Sequence, residues 1–343
     1  MKGKVGSNVE IDADFVRNDT LLEGNYSYRL YVDDSLTHLS PIIVLYGDID
    51  RHNHAVLLQM PDNDTAITGL FSDHRFTGSW YGPDTAELPF SLNETYPEGS
   101  LPMKVFYLHD DKELNSDSKY APTAEVEFTL LYPEPASGVP ENVKDSVVKF
   151  IQLQVFGQYR PEVLPKKLLA QSEQDFYHQF FTLNSHWKTN HAQGFNMERK
   201  ETVSVLFNSN YLLCLQYQKK GYAGRGNPME HDAYDMIDLR SGEKLNVRNI
   251  FKQNALPHIA RLVNKTIKEN NGLPPSASLK ALGYYTDSVP LSNNMAFTGN
   301  GITFIYNVYN IAPPAMGIQK VFLPFAKIWP FIRPSSVLYR LSP

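Results

Sequence analysis

The chain has 343 residues, of which 42% are hydrophobic and 20% charged. These values are ordinary for a globular protein and exclude global disorder. Lysine and arginine number 32 against 37 aspartates and glutamates, which gives a net charge of -5. A nucleic-acid-binding protein normally carries a basic excess, so we expect no nucleic-acid partner. At about 150 residues per domain, the length predicts two domains.

The first part of the chain, residues 1–135, is predicted to be an all-β domain rich in glycine and aromatic residues. Tyr26, Tyr28 and Leu30 alternate with Ser27 and Arg29, which is the period of a half-buried strand. Glycines separate further short apolar runs, and clusters of aspartate, asparagine and proline supply turns. The pattern predicts an antiparallel meander, a sandwich or a small barrel.

A proline-rich break separates this part from a second domain, residues 136–343. Residues 132–140 contain three prolines and a glycine, which neither a helix nor a central strand tolerates. Apolar periodicity beyond the break predicts helices over residues 143–155, 166–181, 256–270 and 324–332, and strands over 201–218, 234–239 and 297–308. Because helices and antiparallel strands are segregated along the chain, the fold class is α+β, with flanking helices on an antiparallel sheet.

The sequence contains no catalytic motif. It has no phosphate-binding loop, dinucleotide-binding glycine pattern, zinc-protease motif or cysteine pair, and we expect neither a cofactor nor a metal. The one cysteine, Cys214, lies in an apolar run and is predicted to be a buried thiol. The densest acidic cluster is Glu230, Asp232 and Asp235, which could supply a carboxylate pair for glycan hydrolysis.

The stretch over residues 301–317 predicts a strand, a proline-rich turn and a second strand. It resembles the C-terminal signature of a domain found in a lysozyme-sensing anti-sigma factor and in certain peptidoglycan deacetylases. The matching residues are Tyr306, Tyr309, Ile311, Ala312, Pro313, Ala315 and Gly317, whereas Val308, Asn310 and Pro314 depart from the signature. Residues 234–251 are similar to a further pattern of that domain, and the resemblance spans about 201–332.

The resemblance implies an exported bacterial protein of the cell envelope, in the periplasm or as an outer-membrane lipoprotein. Its signal and lipid-anchored cysteine would then be absent from this chain, and no transmembrane segment is predicted. The implied partner is a lysozyme-like protein or a peptidoglycan fragment. Deacetylase chemistry belongs to a separate domain of those relatives, and this chain has no matching Asp/His metal motif.

We therefore expect a non-catalytic binding protein of the cell envelope. The predicted binding residues are Tyr306, Tyr309 and Pro313 at the turn, with Tyr222 and Arg225 in the glycine-rich loop 221–226. Two alternatives stay open at this point. The first is an envelope glycan hydrolase that uses Glu230, Asp232 and Asp235, and the second is a structural lipoprotein without a small ligand.

Overall fold

The chain forms three β-sheets and a small set of helices in the computed structural model. The structure describes residues 1–59, 64–81, 87–115, 120–134, 138–187, 194–224, 226 and 228–341. An all-β unit comes first, and a unit of mixed sheets and helices follows it. This architecture confirms the α+β fold class.

The first sheet closes on itself into a barrel-like meander. Its strands are β1 (Lys2–Val5), β2 (Val9–Asn18), β3 (Leu21–Val32), β4 (Ser35–Leu39), β5 (Ile43–Ile49), β6 (His54–Gln59), β7 (Asp64–Ser72), β8 (Arg75–Tyr81) and β9 (Glu87–Asn93). β1 pairs with both β2 and β9 and so closes the ring. β4 and β5 pair with successive parts of β3 and together act as one interrupted strand.

Local sequence explains the hairpins and the interior of this closed sheet. Two-residue turns at Asp33–Asp34 and Asp73–His74 have positive φ at both positions, the geometry that matches the twist of adjoining strands. Inward-facing apolar and aromatic side chains, among them Tyr26, Phe76 and Trp80, fill the interior. The interior of the closed sheet is thus a packed core.

The second sheet has six strands and two covering helices. The strands are β10 (Met103–Glu113), β11 (Thr123–Pro133), β12 (Met197–Ser209), β13 (Leu212–Ala223), β14 (Met229–Asp238) and β15 (Glu243–Lys244). β11 and β12 are parallel, and all other neighbours are antiparallel. Helices α1 (Glu141–Phe156) and α2 (Pro165–Leu183) lie within the crossover between β11 and β12.

The sheets divide the chain between β9 and β10, earlier than the proline-rich break. β10 and β11 lie before residue 135, yet they hydrogen-bond into the six-stranded sheet through the β11–β12 pairing. The two-domain division at 135/136 stays a prediction. The reason for the difference is that β11 finds its partner across the long helical crossover, which local periodicity does not reveal.

The third sheet and the remaining helices complete the C-terminal part. The sheet consists of β16 (Met295–Phe297), β17 (Gly301–Tyr306) and β18 (Gln319–Pro324), and the helices are α3 (Val247–Ile250), α4 (Leu256–Asn270) and α5 (Phe325–Ile328). α4 occupies the predicted residues 256–270, and β16 and β17 form the predicted hairpin. The helix predicted over 324–332 is shorter, because α5 gives way to a 3-10 turn that contains Pro330.

Polar contacts join the closed sheet to the six-stranded sheet. The ammonium of Lys200 lies 2.7 Å from a carboxylate oxygen of Glu23 and 3.0 Å from one of Glu127. Asn18 donates to the hydroxyl of Thr129 at 2.9 Å. These groups are buried or half-buried between the sheets, so the contact is directional rather than purely apolar.

None of the helices in the described part of the chain is both long and apolar enough to cross a membrane.

Candidate functional site

The three acidic residues of the hydrolase alternative lie on β14 but do not converge. Side chains alternate between the faces of a strand, so Asp232 and Asp235 point to opposite faces of the six-stranded sheet. Glu230 is exposed and pairs with Lys220 at 3.3 Å. Glycoside hydrolysis needs two carboxyl groups on either side of one glycosidic bond. Asp232 and Asp235 therefore do not form such a pair.

Asp232 is held by a dense set of hydrogen bonds. It is 1% exposed, and its Oδ2 lies 2.7 Å from Lys320 Nζ and accepts from Tyr234 Oη at 3.0 Å and from Gln216 Nε2 at 3.1 Å. Its backbone N–H donates to Asn307 Oδ1 at 2.8 Å. Oδ1 is buried and has no hydrogen-bond partner among the described residues. The carboxylate is thus fixed in position through one oxygen.

Asp235 has a similar set of partners on the opposite face. Lys244 Nζ lies 2.7 Å from Oδ1, and Tyr217 Oη donates to Oδ2 at 3.0 Å. Burial and the neighbouring carboxylate raise the pKa of Tyr217 well above its ordinary value. The Tyr217 hydroxyl therefore stays protonated and serves as a donor to Asp235.

The motif turn, residues 306–317, exposes one of its three predicted binding residues. Tyr306 is buried, and its hydroxyl donates to the carbonyl oxygen of Pro290 at 2.7 Å. Pro313 is half-buried and precedes a 3-10 turn that ends at Gly317. Tyr309 is 61% exposed and has φ of 67°, a conformation that is uncommon for a residue with a side chain. Tyr306 and Pro313 build the turn, and Tyr309 is presented on it.

The glycine-rich loop contributes little to this turn. Tyr222 is half-buried near the end of β13 and lies opposite Glu198 of β12. Arg225 lies outside the described residues. Tyr222 therefore lies on the six-stranded sheet, whereas Tyr309 lies on the turn between β17 and β18 of the third sheet. Cys214 is fully buried as predicted, and burial raises the pKa of its thiol to about 12.

A large open cavity lies at one end of the closed sheet, where the hairpin turns after β2, β5 and β7 meet. We call it the mouth cavity; its volume is 680 Å³, within the roughly 300–1,000 Å³ of small-molecule sites. Its floor contains Leu22, Ile49, Phe15 and Phe71. The Phe15 ring meets the Phe71 ring edge-on at 5.9 Å. These four residues give the cavity an apolar and partly aromatic surface, and the carboxylate of Asp14 also lines it.

The rim of the mouth cavity is polar and carries charges of both signs. Its side chains are Arg17, His52, Asn53, Asp73, His74, Arg75, Glu94 and Tyr96. Arg17 donates to Asn53 Oδ1 at 2.7 Å, and Arg75 donates to Asn93 Oδ1 at 3.3 Å. Each guanidinium has five N–H groups, so both retain donors beyond these contacts.

Three rim residues form a hydrogen-bonded chain. His74 Nδ1 lies 2.6 Å from Glu94 Oε2, and the Tyr96 hydroxyl donates to the other carboxylate oxygen. These bonds lower the pKa of Glu94, with the Tyr96 hydroxyl as the larger cause. They raise the pKa of His74 and raise the pKa of Tyr96 to about 12. This hydrogen-bonded chain of His74, Glu94 and Tyr96 fixes one side of the rim.

Sequence reasoning missed the mouth cavity. Its rim residues come from separate turns and from the segment after β9, and each turn by itself is an ordinary turn. One signal was available: in a meander, alternate hairpin turns lie at the same end. Within the described part of the chain, no three His, Cys, Asp or Glu side chains come close enough together to hold a metal ion.

Comparison with known families places a domain of unknown function in the C-terminal part. Residues 248–326 match the family described as "Protein of unknown function (DUF3298)", so the chain carries a DUF3298 domain there. No match was found among the curated proteins.

Two solved structures of DUF3298 family proteins are similar to this chain. One, from Bacteroides fragilis, is 18% identical with a TM-score of 0.63, over 72% of this chain and 99% of that one. The other, from Pseudomonas aeruginosa, is 14% identical with a TM-score of 0.46, over 71% of this chain and 97% of that one. The likeness to the first shows a shared fold.

Proposed function

We propose that this protein is a non-catalytic binding protein of the bacterial cell envelope, and that the mouth cavity takes a peptidoglycan fragment. The observation that carries the proposal is the cavity itself, with an apolar aromatic floor and a polar rim of planar side chains. Sugars present apolar ring faces and rows of hydroxyls, which suit such a combination. The carboxylates and acetamido groups of peptidoglycan suit the arginines of the rim.

The arrangement of the acidic residues favours binding over catalysis. Asp232 and Asp235 lie on opposite faces of β14, and each is held by a lysine and a tyrosine. Glu94, at the rim, is held by His74 and Tyr96. The hydrolase alternative therefore receives no support from the carboxylates that suggested it.

A lysozyme-like protein is a second candidate partner, and the exposed ring of Tyr309 supports it. Exposed tyrosines held on rigid turns are frequent anchors in protein interfaces. The resemblance of the motif turn to that of a lysozyme-sensing protein points to the same kind of partner. The net charge of -5 would also attract a cationic protein.

Calorimetric titration tests the proposal. The full chain is titrated with soluble muropeptides and, separately, with a cationic lysozyme at physiological salt. We expect saturable muropeptide binding that Arg75→Ala weakens by about tenfold or more, because a charge-assisted hydrogen bond is lost. Arg51→Ala is the matched control, since Arg51 is exposed on a neighbouring turn and does not line the cavity.

The two partners give different outcomes. Lysozyme binding that Tyr309→Ala abolishes and Arg75→Ala leaves intact would assign protein recognition to the motif turn. Absence of heat with either partner in a folded sample would refute the proposed function.

A further inference from the structure

A second cavity lies where the three sheets meet, and it shares no lining residue with the mouth cavity. We call it the junction cavity; its volume is 330 Å³. The six-stranded sheet contributes Gln216 and Tyr234, the closed sheet contributes the segment 38–44, and β16 to β18 with Asn270 of α4 contribute the remaining wall. The proposed function does not use this cavity.

We propose that the junction cavity is a binding site for a small carboxylic acid with an apolar body. The argument starts from its polar side. Gln216 is 2% exposed and Thr303 is 8% exposed, yet both line the cavity. Burying polar side chains costs free energy unless they find partners. Gln216 Nε2 finds its partners in Asp232 and Tyr234, so it is held in place at the wall of the cavity.

Lys320 supplies the cation of the site. Its ammonium lies 2.7 Å from Asp232 Oδ2, which also accepts from Tyr234 and Gln216. Three donors thus share one carboxylate oxygen, and the structure gives the Lys320 ammonium no other acceptor in the described part of the chain. An ammonium has three N–H donors. Lys320 can therefore donate to a ligand carboxylate while Asp232 keeps it in place.

Asp232 acts as a positioning residue in this arrangement. It does not line the cavity, but it holds three side chains that do. Its backbone is fixed by Asn307, and Asn294 Nδ2 donates to its carbonyl oxygen at 2.7 Å. The polar side of the cavity is thus preorganised, which lowers the cost of ligand binding.

The other walls of the junction cavity are mainly apolar. Their apolar side chains are Leu39, Pro41, Ile42, Val44, Ala296, Ile305 and Phe322, and His38 and Asn270 complete the lining. A ligand with a single anionic head and a compact hydrocarbon body matches one cationic side and several apolar walls. Because residues of the closed sheet and of the third sheet both line the cavity, such a ligand would contact both.

Calorimetry with octanoate tests the proposal, with octanol as the uncharged probe of equal chain length. We expect octanoate to bind the full chain saturably at one site and at least tenfold more tightly than octanol, because the carboxylate accepts a charge-assisted hydrogen bond. Lys320→Met is expected to weaken octanoate binding by at least tenfold. Lys327→Met is the matched control, because Lys327 is exposed and outside the cavity.

A second variant keeps the test decisive if Lys320→Met fails to fold. Val44→Trp fills the cavity from the wall of the closed sheet and leaves the Lys320–Asp232 pair intact. We expect it to abolish octanoate binding, and Arg75→Ala in the mouth cavity to leave binding unchanged. Binding that survives Val44→Trp, octanol binding as tight as octanoate binding, or no octanoate binding to the unaltered chain would each overturn the proposal.

Discussion

One face of the six-stranded sheet packs against two helices, and the other packs against two further sheets. On the helix-covered face, β11 and β13 contribute Phe128, Leu130, Leu213 and Leu215 to a continuous apolar core, in which Asp235 is buried with Lys244 and Tyr217 as its partners. On the opposite face, buried polar and charged side chains stand beside the apolar ones, among them Thr202, Ser204, Gln216 and Asp232.

The difference between the faces explains where the junction cavity occurs. Apolar contacts have no preferred direction, so a helix can shift on the sheet until the side chains are closely packed. Hydrogen bonds and ion pairs require particular distances and angles, so each covering sheet is held in one position. Where three rigid sheets meet in fixed positions, a space remains, and one side of it carries Gln216 and Lys320, which both contact Asp232.

Among the polar contacts, the largest effect is expected at the ionic contact between the closed sheet and the six-stranded sheet. Lys200→Met would leave the carboxylates of Glu23 and Glu127 without their shared cation. Burial acts to lower the pKa of Lys200, but the two glutamates outweigh it and raise that pKa. We expect the free energy of unfolding to fall by about 3 kcal/mol, the lower end for breaking a buried pair. Urea denaturation measures it.

Two control variants test whether the loss of stability in Lys200→Met comes from the loss of its buried charge. Lys220→Met removes an exposed partner of Glu230 and should change the free energy of unfolding by less than about 1 kcal/mol. Phe128→Ala, on the helix-covered face, should cost about 3–5 kcal/mol and should not respond to 1 M salt. If Lys200→Met costs no more than Lys220→Met, the two faces are not stabilised by different means.

A smaller effect distinguishes the two tyrosines that donate to the aspartates of β14. Tyr217→Phe leaves Asp235 Oδ2 without its observed donor, because Lys244 lies against Oδ1. Tyr234→Phe leaves Asp232 Oδ2 with Lys320 and Gln216. We expect Tyr217→Phe to lower the free energy of unfolding by about 1–2 kcal/mol, and Tyr234→Phe to lower it by less than about 0.5 kcal/mol.

Urea denaturation of both variants in one buffer checks this difference. An equal decrease in the free energy of unfolding for the two variants would show that the additional donors to Asp232 contribute nothing to stability. The comparison between the faces would then rest on the Lys200 contact alone.

The smallest effect concerns the loss of stability in acid, and it involves Asp238, the last residue of β14. Burial acts to raise the pKa of Asp238, but the guanidinium of Arg340, the N–H of Arg240 and the hydroxyl of Ser241 outweigh it and lower that pKa. A lowered pKa in the folded state adds stability above the ordinary value of about 3.8, and this stability is lost as the pH falls through the lowered value.

Arg340→Met should therefore reduce the difference in the free energy of unfolding between pH 5 and pH 2.5. We expect a reduction of less than about 1 kcal/mol, because Asp238 is partly screened by solvent. Urea denaturation at a series of pH values checks it. An unchanged pH dependence in Arg340→Met would show that this ion pair does not contribute to acid stability.

Local patterns in the sequence predict the helices and strands far better than they predict which strands pair with each other. Helix α4 follows from Ile259, Val263 and Ile267, whose spacing marks one buried face. The pairing of β11 with β12 does not follow from any local pattern, because the two strands are separated by both long helices. The alternation over residues 202–207 also breaks at a bulge, after which Phe207 packs against the third-sheet side.

The candidate sites show the same limit, with one exception. The rim of the mouth cavity comes from turns that converge only in the folded chain, so no single stretch of sequence predicts it. The tyrosines of the motif turn look alike in sequence, yet Tyr306 is buried and Tyr309 exposed. The separation of Asp232 from Asp235 could have been predicted, because residues three apart on a strand point to opposite faces.

The parallel pairing of β11 with β12 also bears on how the chain acquires its fold during synthesis. Most of the closed sheet consists of hairpins between consecutive strands, whose short loops close quickly. The β10–β11 hairpin, by contrast, waits for β12, because Thr129 pairs with Thr202 beyond α1 and α2. Until both helices and β12 have been synthesised, the apolar residues around Phe128 stay uncovered. We therefore expect this hairpin to be exposed to misassociation for longer than the hairpins of the closed sheet while the chain is being made.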